Sequence, residues 1–351
     1  MEVKKDLLSL EFDELKRYLT EELSESAFRA TQIAKWITLG ADFSEMSDIP
    51  LKLREKLEER AYLAYPEVAA KYVSKIDGTV KFLFRMKDGE CVESVVMEYE
   101  HGKSICLSTQ AGCRMGCKFC ASTIGGRRRD LSASEILGEI IVASRECGFK
   151  ISGIVLMGIG EPFDNYDNVI KFLRLVNSPK GLNIGYRHIS LSTCGVVSGI
   201  YKLIEEDMPL TLSISLHAHD DETRSALMPI NNKYPIDTLL KACVQWFDKT
   251  SRRISFEYTL ISGKNDTDED AKALSVLLKK YFGKRPFHVN LIPVNPVKET
   301  GFSSGGSAYA RAFAEELKKH GVNATVRRTL GADISASCGQ LRLKSEKKEQ
   351  N

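Results

Sequence analysis

The sequence predicts an α/β protein: a (β/α)6 partial barrel, open on one side, preceded by a small N-terminal helical domain and a β-meander. Three observations carry this. From about residue 104 strand-forming runs alternate with helix-like runs, the pattern of a parallel sheet wrapped by helices. Residues 67–98 are rich in strand formers and punctuated by two Asp-Gly pairs, the strongest short hairpin signal. Residues 1–65 place apolar side chains at helical spacing. The expected division is 1–65 for the helical domain, 66–98 for the meander, 99–342 for the barrel with a C-terminal cysteine loop, and 343–351 for a charged tail.

In the helical domain, Phe12, Leu15, Tyr18 and Leu19 mark one helix between Leu10 and Leu23. Ser24 and Ser26 are N-cap candidates for a second, with Phe28, Ile33, Trp36 and Ile37 on one face. Asp48-Ile-Pro50 interrupts the pattern before a third helix through Leu51, Leu53, Leu57 and Tyr62. So small a unit suits a docking module or a packing cap. The meander strands carry Val73, Val80, Phe82, Phe84, Val92, Val95 and Val96, with turns at Asp77-Gly78 and Asp88-Gly89. Barrel strands are expected at 105–109, 153–157, 188–193, 210–216, 254–259, 288–293 and 324–327. Helices are expected at 134–145, 166–176, 199–206, 235–250, 268–281 and 309–320.

Composition bounds the function classes. A chain of 351 residues can bury a sizeable core, and 43% hydrophobic with 28% charged residues is ordinary for a globular protein. A net charge of +3 does not announce a nucleic-acid partner, so any basic surface must be local. Nine cysteines, an odd number without scaffold spacing, suit a reducing, cytoplasmic setting. No run approaches the ~20 apolar residues of a membrane span. The start, Met1-Glu-Val-Lys-Lys, does not resemble a signal peptide.

The chemistry concentrates in Ala111-Gly-Cys-Arg-Met-Gly-Cys-Lys-Phe-Cys-Ala121, where Cys113, Cys117 and Cys120 are spaced C-x3-C-x2-C. Three thiolates are one short of a closed zinc site and one short of saturating a 4Fe–4S cluster. A cube on three cysteines leaves an iron open for the amino and carboxylate groups of S-adenosylmethionine (SAM). The competing reading is a zinc site completed by a distant cysteine or histidine. Phe119 is expected to wall the site. Gly158-Ile-Gly160-Glu161-Pro162 follows the second barrel strand, where its glycines permit close approach and Glu161 can accept from an ammonium group. Ser192 ends the third strand, Ser215-Leu216-His217 the fourth, and Asn295 follows the sixth. Their shared place at strand C-termini is what makes them a site. Taken alone, Cys106 and Cys338 read as inert cysteines, as do Cys91, Cys147, Cys194 and Cys243. Glu93 reads as a solvent-facing strand residue.

The cysteine spacing resembles the radical-SAM superfamily. Together with Gly-Ile-Gly-Glu-Pro, Ser-Leu-His, Arg29-Ala-Thr-Gln-Ile-Ala-Lys-Trp-Ile37, Met228-Pro-Ile-Asn231 and the terminal Ser-Cys-Gly-Gln-Leu, nearly the whole chain resembles the RlmN-type adenine methyltransferases. The resemblance implies that Cys113, Cys117 and Cys120 hold one 4Fe–4S cluster. It implies that Gly160, Glu161, Ser192, Ser215, Leu216, His217 and Asn295 contact SAM. It makes Cys338 the methylated cysteine, Cys106 its resolving partner and Glu93 a general base.

The implied reaction is methylation of carbon 2 of an adenosine in 23S rRNA and in tRNA, using two SAM per turnover. One SAM methylates the Cys338 thiolate. The second is cleaved to a 5′-deoxyadenosyl radical, which removes hydrogen from that methyl group, and the resulting carbon radical adds to the base. Glu93 takes the carbon 2 proton, and Cys106 attacks the Cys338 sulfur to release the RNA and leave a disulfide. The implied partners are rRNA, tRNA and an external electron donor of flavodoxin type; a cytoplasmic monomer without membrane contact is expected. Arg127–Arg129, Lys284-Arg285 and Arg327-Arg328 are candidates for RNA phosphate contacts. The chain departs from the usual pattern at Leu330, Ser335 and Ser337. A sister family, Cfr, methylates carbon 8; Pro162 favours the carbon 2 group. The alternative of another class is a zinc-containing RNA-binding protein without catalysis.

Overall fold

The computed structural model describes residues 4–100, 102–295, 299–334 and 336. Cys338 and the tail lie outside the described residues. The N-terminal helices form with some differences from expectation. The expected first helix divides into α1 (Phe12–Arg17) and a π-helical turn over Tyr18–Glu22. Neither serine caps α2 (Arg29–Thr38): Phe28 stands at the N-cap without a side-chain bond, and Ser24 has φ 53°. α3 (Leu51–Arg60) buries Leu53 and Leu57 but leaves Leu51 exposed. Tyr62 lies beyond it in β2 (Ala61–Tyr62), which pairs in parallel with β1 (Lys5–Asp6).

The chain then builds one ten-stranded sheet. β3 (Glu67–Val73), β4 (Val80–Arg85), β5 (Cys91–Tyr99) and β6 (Gly102–Cys106) run antiparallel. The Asp-Gly turns are where expected, with Gly78 at φ 72° and Gly89 at φ 88°, conformations that glycine adopts without a Cβ penalty. β7 (Gln110–Gly112) and β8 (Arg127–Asp130) pair separately and close the neck of the cysteine loop. β9 (Gly153–Leu156), β10 (Ile189–Thr193), β11 (Thr211–Ser215), β12 (Ile254–Leu260), β13 (Phe287–Pro293) and β14 (Ala324–Val326) follow β6 in parallel and in chain order. The meander is therefore not a separate layer; it continues the barrel sheet through β6.

Parallel neighbours need crossovers, and helices supply them. α4 (Ala133–Cys147), α5 (Tyr166–Asn177), α6 (Val197–Glu205), α8 (Ile236–Thr250), α9 (Asp268–Phe282) and α10 (Gly306–Lys319) match the expected helices within a few residues. α7 (Asp221–Leu227), between β11 and α8, was not expected; at seven residues it is too short to show a periodic face. α4 starts at a capping box of Ser132 and Glu135 and stops at Gly148, φ 70°. Strand residues alternate: Ile254, Phe256 and Tyr258 of β12 are fully buried, whereas Ser255 and Glu257 belong to a polar network on the other face. The helical unit shares the barrel's apolar core, since Leu15, Ile33 and Leu53 belong with Ile140 and Phe172 to one cluster. Arg145 of α4 pairs with Glu45 at 2.7 Å, and the Tyr65 hydroxyl donates to the Ile37 carbonyl at 2.8 Å. Among the described residues no helix is long and apolar enough to cross a membrane.

Phe256 packs edge-on against Phe282 and Phe287 with no exposed surface. Phe256→Ala is expected to destabilise the fold by about 3–5 kcal/mol, read as a fall in the urea midpoint at unchanged slope.

Candidate active site

The parallel strands all end on one side of the sheet, and a cavity of about 310 Å³ opens there. Its wall includes every proposed site residue except Leu216, which is buried in the core, and Cys338, which is outside the described residues. Cys113, Cys117 and Cys120 line it together with Glu93, Cys106, Gly160, Glu161, Ser192, Ser215, His217 and Asn295.

The cysteine loop is held on several sides. Asn165 donates to the Thr109 and Leu131 carbonyls, at 2.8 and 2.7 Å, and so clamps both strands of the neck. Gly112 is required there: at φ 78°, a Cβ would stand 2.0 Å from the Gly126 carbonyl oxygen. Arg114 makes a two-point ion pair with Asp164, tying the loop to the turn after β9. The Lys118 amide donates to the Leu227 carbonyl at the end of α7, 2.9 Å. Cys117 packs with Leu227, Met228, Ile261 and Val294, while Met115, Phe119 and Cys120 lie against that cluster. Burial pushes the Cys113 thiol up to about 12 and raises Cys117 as well. Metal binding would replace these protons. Among the described residues no three His, Cys, Asp or Glu side chains converge as a single-ion site. Three thiols on one cavity wall, backed by apolar side chains, are residues that would hold an iron–sulfur cluster.

The turn after β9 shows why glycine stands at 160. Its φ is 113°, and a Cβ would meet Gln110 and Thr109 at 2.8 Å. Glu161 is buried, with one carboxylate oxygen accepting from the Phe163 amide (3.0 Å) and the other from the Cys194 amide (2.7 Å). Burial raises its pKa while those bonds oppose the rise. His217, at φ 57°, is also buried. Its Nδ1 accepts from the Thr259 amide at 2.9 Å, which puts the ring proton on Nε2. Burial, helped by the Arg224 charge, pushes its pKa down to about 3, so the ring is neutral. Phe119 meets it edge-on at 4.9 Å, so the expected aromatic wall stands against the histidine.

Glu93 is not the solvent-facing residue that strand reading alone suggests. It is 5% exposed, faces the cavity from β5, and pairs with Lys81 of β4 at 3.4 Å. Lys81 is itself fully buried, so each charge depends on the other. Cys106 ends β6 opposite Val95, half-buried on the same cavity wall.

Two buried carboxylates, one in the cavity and one behind the sheet, escaped the sequence reading. Glu257 of β12 accepts from Asn290 (2.6 Å) and Ser255 (3.0 Å); burial raises its pKa and Arg327 opposes the rise. The alternation of Ser255, Glu257 and Thr259 with apolar neighbours was the signal that could have found it. Glu139 of α4 lies behind the sheet, wholly buried, bonded to Ser94 and to the Ser108 amide (3.3 Å), and burial raises its pKa strongly. The arginines expected to hold phosphates are engaged within the protein. Arg127 pairs with Asp130 (2.9 Å), Arg128 with Glu90 (3.2 Å), Arg129 with Asp88 (2.5 Å) and Glu135 (2.8 Å), and Arg285 with Asp248 (2.6 Å). Arg327 and Arg328 line the cavity instead.

Known proteins give this geometry its context. Residues 107–275 match the model of the radical SAM superfamily, and residues 5–63 match the ribosomal RNA large subunit methyltransferase N-terminal domain. A probable dual-specificity RNA methyltransferase RlmN of Clostridium acetobutylicum is 53% identical over 94% of this chain and 94% of its own. One of Clostridium botulinum, with the same description, is 52% identical over 96% of each chain. The crystal structure of a radical SAM methyltransferase from Sphaerobacter thermophilus superposes with a TM-score of 0.90, at 38% identity over 96% of this chain and 98% of that one. Membership of this superfamily implies SAM and a 4Fe–4S cluster, and the three-thiol wall fits both. The strand-end cavity, the cysteine loop and the full-length similarity agree: the chain belongs to the RlmN family of radical-SAM RNA methyltransferases.

Proposed function

We propose that this chain methylates carbon 2 of an adenosine in both 23S rRNA and tRNA, carrying the methyl group on Cys338. The observation that supports it best is the convergence of Glu93, Cys106 and the cysteine loop on one cavity. Near-full-length similarity to relatives described as dual-specificity RNA methyltransferases supports the choice of substrates.

In this reading Cys113, Cys117 and Cys120 hold the cluster, and Gly160, Glu161, Ser192, Ser215, Leu216, His217 and Asn295 bind SAM. Leu216 has its side chain in the core, so its contribution is through the backbone. When bound, the cluster supplies one electron that cleaves SAM to a 5′-deoxyadenosyl radical. Two SAM are used: one gives its methyl group to the Cys338 thiolate and leaves as S-adenosylhomocysteine, and the radical from the other takes hydrogen from that methyl and leaves as 5′-deoxyadenosine. The neutral His217 offers its Nε2 proton as a hydrogen-bond donor. Glu93, paired at a buried position with Lys81, removes the carbon 2 proton from the base bonded to Cys338, while the unpaired electron of that adduct returns to the acceptor that SAM cleavage left oxidised. Cys106 then displaces the product from the Cys338 sulfur and forms a disulfide, which an external reductant reopens. Ala336, two residues before Cys338, lines the same cavity, so the chain reaches the site there.

Cys338→Ala protein is expected to cleave SAM on reduction yet transfer no methyl group to RNA. Full RNA methylation by that variant, measured by nucleoside mass spectrometry, would refute the carrier role. Glu93→Gln should slow product release by about 10²-fold or more and leave RNA covalently attached to protein, visible as a shifted band on denaturing gels. His217 has a folded pKa below its unfolded value of about 6.5. It therefore contributes stability that is complete above that value and falls as pH drops from there toward about 3. Nitrogen NMR of the ring should show the neutral Nε2–H form unchanged from pH 8 to pH 5.

A further inference from the structure

Behind the cysteine loop sits a buried positive charge. Arg224 of α7 has no exposed surface. Its guanidinium donates only to uncharged oxygens. Nε reaches the Leu216 carbonyl (3.1 Å), and Nη1 reaches Asn231 Oδ1 (2.9 Å) and the Tyr234 carbonyl (3.5 Å). Nη2 reaches the Cys194 carbonyl (2.8 Å) and the Ser215 carbonyl (3.1 Å). Among the described residues it forms no ion pair with a carboxylate. Two carboxylates reach it only indirectly: Glu161 through Cys194, whose amide donates to Glu161 while its carbonyl accepts from Arg224, and Asp221 through Asn231, whose amide nitrogen donates to Asp221 (2.9 Å) while its oxygen accepts from Nη1.

A buried guanidinium without a counter-ion is costly even when every donor is bonded. Carbonyl dipoles offset part of that cost. The rest calls for a nearby anion, and the surroundings show where one belongs. The segment that carries Arg224 packs directly under the cysteine loop. Leu227 accepts the Lys118 amide, Met228 shares an apolar cluster with Cys117, and Pro229 lies 3.5 Å from the Cβ position at Gly116. The guanidinium itself lies close, since Cys194, whose carbonyl accepts from Nη2 at 2.8 Å, packs in the same cluster as Cys117. A cluster on three thiolates is an anion, and reduction by one electron adds a further negative charge.

We propose that Arg224 is the built-in counter-charge of the cluster, and that it raises the cluster's reduction potential by stabilising the reduced form. This rests on the reading that Cys113, Cys117 and Cys120 hold the cluster. Arg224 touches neither substrate nor reacting atoms in this account; it is a charge-tuning residue. The same arginine braces the ends of β10 and β11, which explains why its donors are spent on carbonyls rather than on a carboxylate.

The test is a redox titration of full-length protein reconstituted anaerobically with iron and sulfide, with dithionite as the one-electron donor and the reduced cluster read by electron paramagnetic resonance. Arg224→Gln is expected to lower the reduced-to-oxidised ratio at a fixed poise by about tenfold, equivalent to 59 mV for a one-electron couple. Arg224→Lys, which keeps the charge, should stay within about twofold of the unaltered protein. Because Arg224→Gln could fail to fold, the exchange of Asn231→Asp with Asp221→Asn serves as a second variant. It moves the carboxylate beside Nη1 and keeps an amide opposite it, so it neutralises the arginine in place without adding charge and should shift the ratio in the same direction. Arg224→Gln protein or the exchanged variant that holds a full cluster and titrates with the unaltered protein would overturn the proposal. Absence of any cluster from unaltered protein would instead defeat the cysteine reading on which it rests.

Discussion

The site depends on β6 having two different neighbours. On one side it pairs antiparallel with β5, Val95 opposite Cys106; on the other it pairs in parallel with β9, Cys106 opposite Val155. A single short strand thus joins the meander to the barrel. Because hydrogen-bond register fixes which side chains share a face, this pairing also fixes chemistry. It sets Glu93, on β5, and Cys106, on β6, at the rim where the cysteine loop begins. Ser108, just beyond β6, secures the junction: its hydroxyl donates to the Glu93 carbonyl (2.8 Å) and accepts from the Ile159 amide (3.0 Å). A one-residue slip of β6 would turn Cys106 to the opposite face.

Titratable groups are held away from water in and behind the cavity wall, and each has a local reason to be tolerated. Glu93 has Lys81 at 3.4 Å. Glu161 has two backbone amides, Glu257 has Asn290 and Ser255, and Arg224 has carbonyl oxygens on every side. Such networks position groups closely, because a buried polar atom that loses its partner pays the full desolvation cost. The C-terminal segment is anchored in the same manner near its described end. Asp333 accepts from Ser74 (2.6 Å) and the Lys75 amide (2.9 Å), while Asp77 accepts from the Gly331 amide (2.9 Å). The meander turn and the chain leading to Cys338 therefore hold each other from both sides.

Much of this was legible in the amino acids. Alternating strand and helix patterns located the barrel elements, and Asp-Gly pairs located both meander turns, because these are local consequences of side-chain period and backbone freedom. The three cysteines and the strand-end motifs named one cavity, since parallel strands must end on one side. What escaped depends on contacts between distant segments. Glu93 is buried beside Lys81 of the neighbouring strand, a pairing that no local pattern announces. Arg127, Arg128 and Arg129 looked like a phosphate cradle, yet Arg127 pairs with Asp130, and Arg128 and Arg129 pair with Glu90 and Asp88 in the meander turn. Arg224 sits on a helix too short to show a period, and its role comes from the strand ends and loop packed around it. Ser24 and Ser26 had the composition of N-caps, but the chain turns at Ser24 with a positive φ and starts α2 four residues past Glu25.

The account's central claim is that this cavity directs a methyl group to carbon 2 of adenosine in two kinds of RNA. The most direct measurement is incubation of reduced, cluster-loaded protein with 23S rRNA and tRNA fragments and SAM labelled in its methyl group, followed by mass spectrometry of the nucleosides. The account predicts labelled 2-methyladenosine from both fragments. Label at carbon 8, or a colourless zinc protein that leaves both RNAs unlabelled, would contradict it.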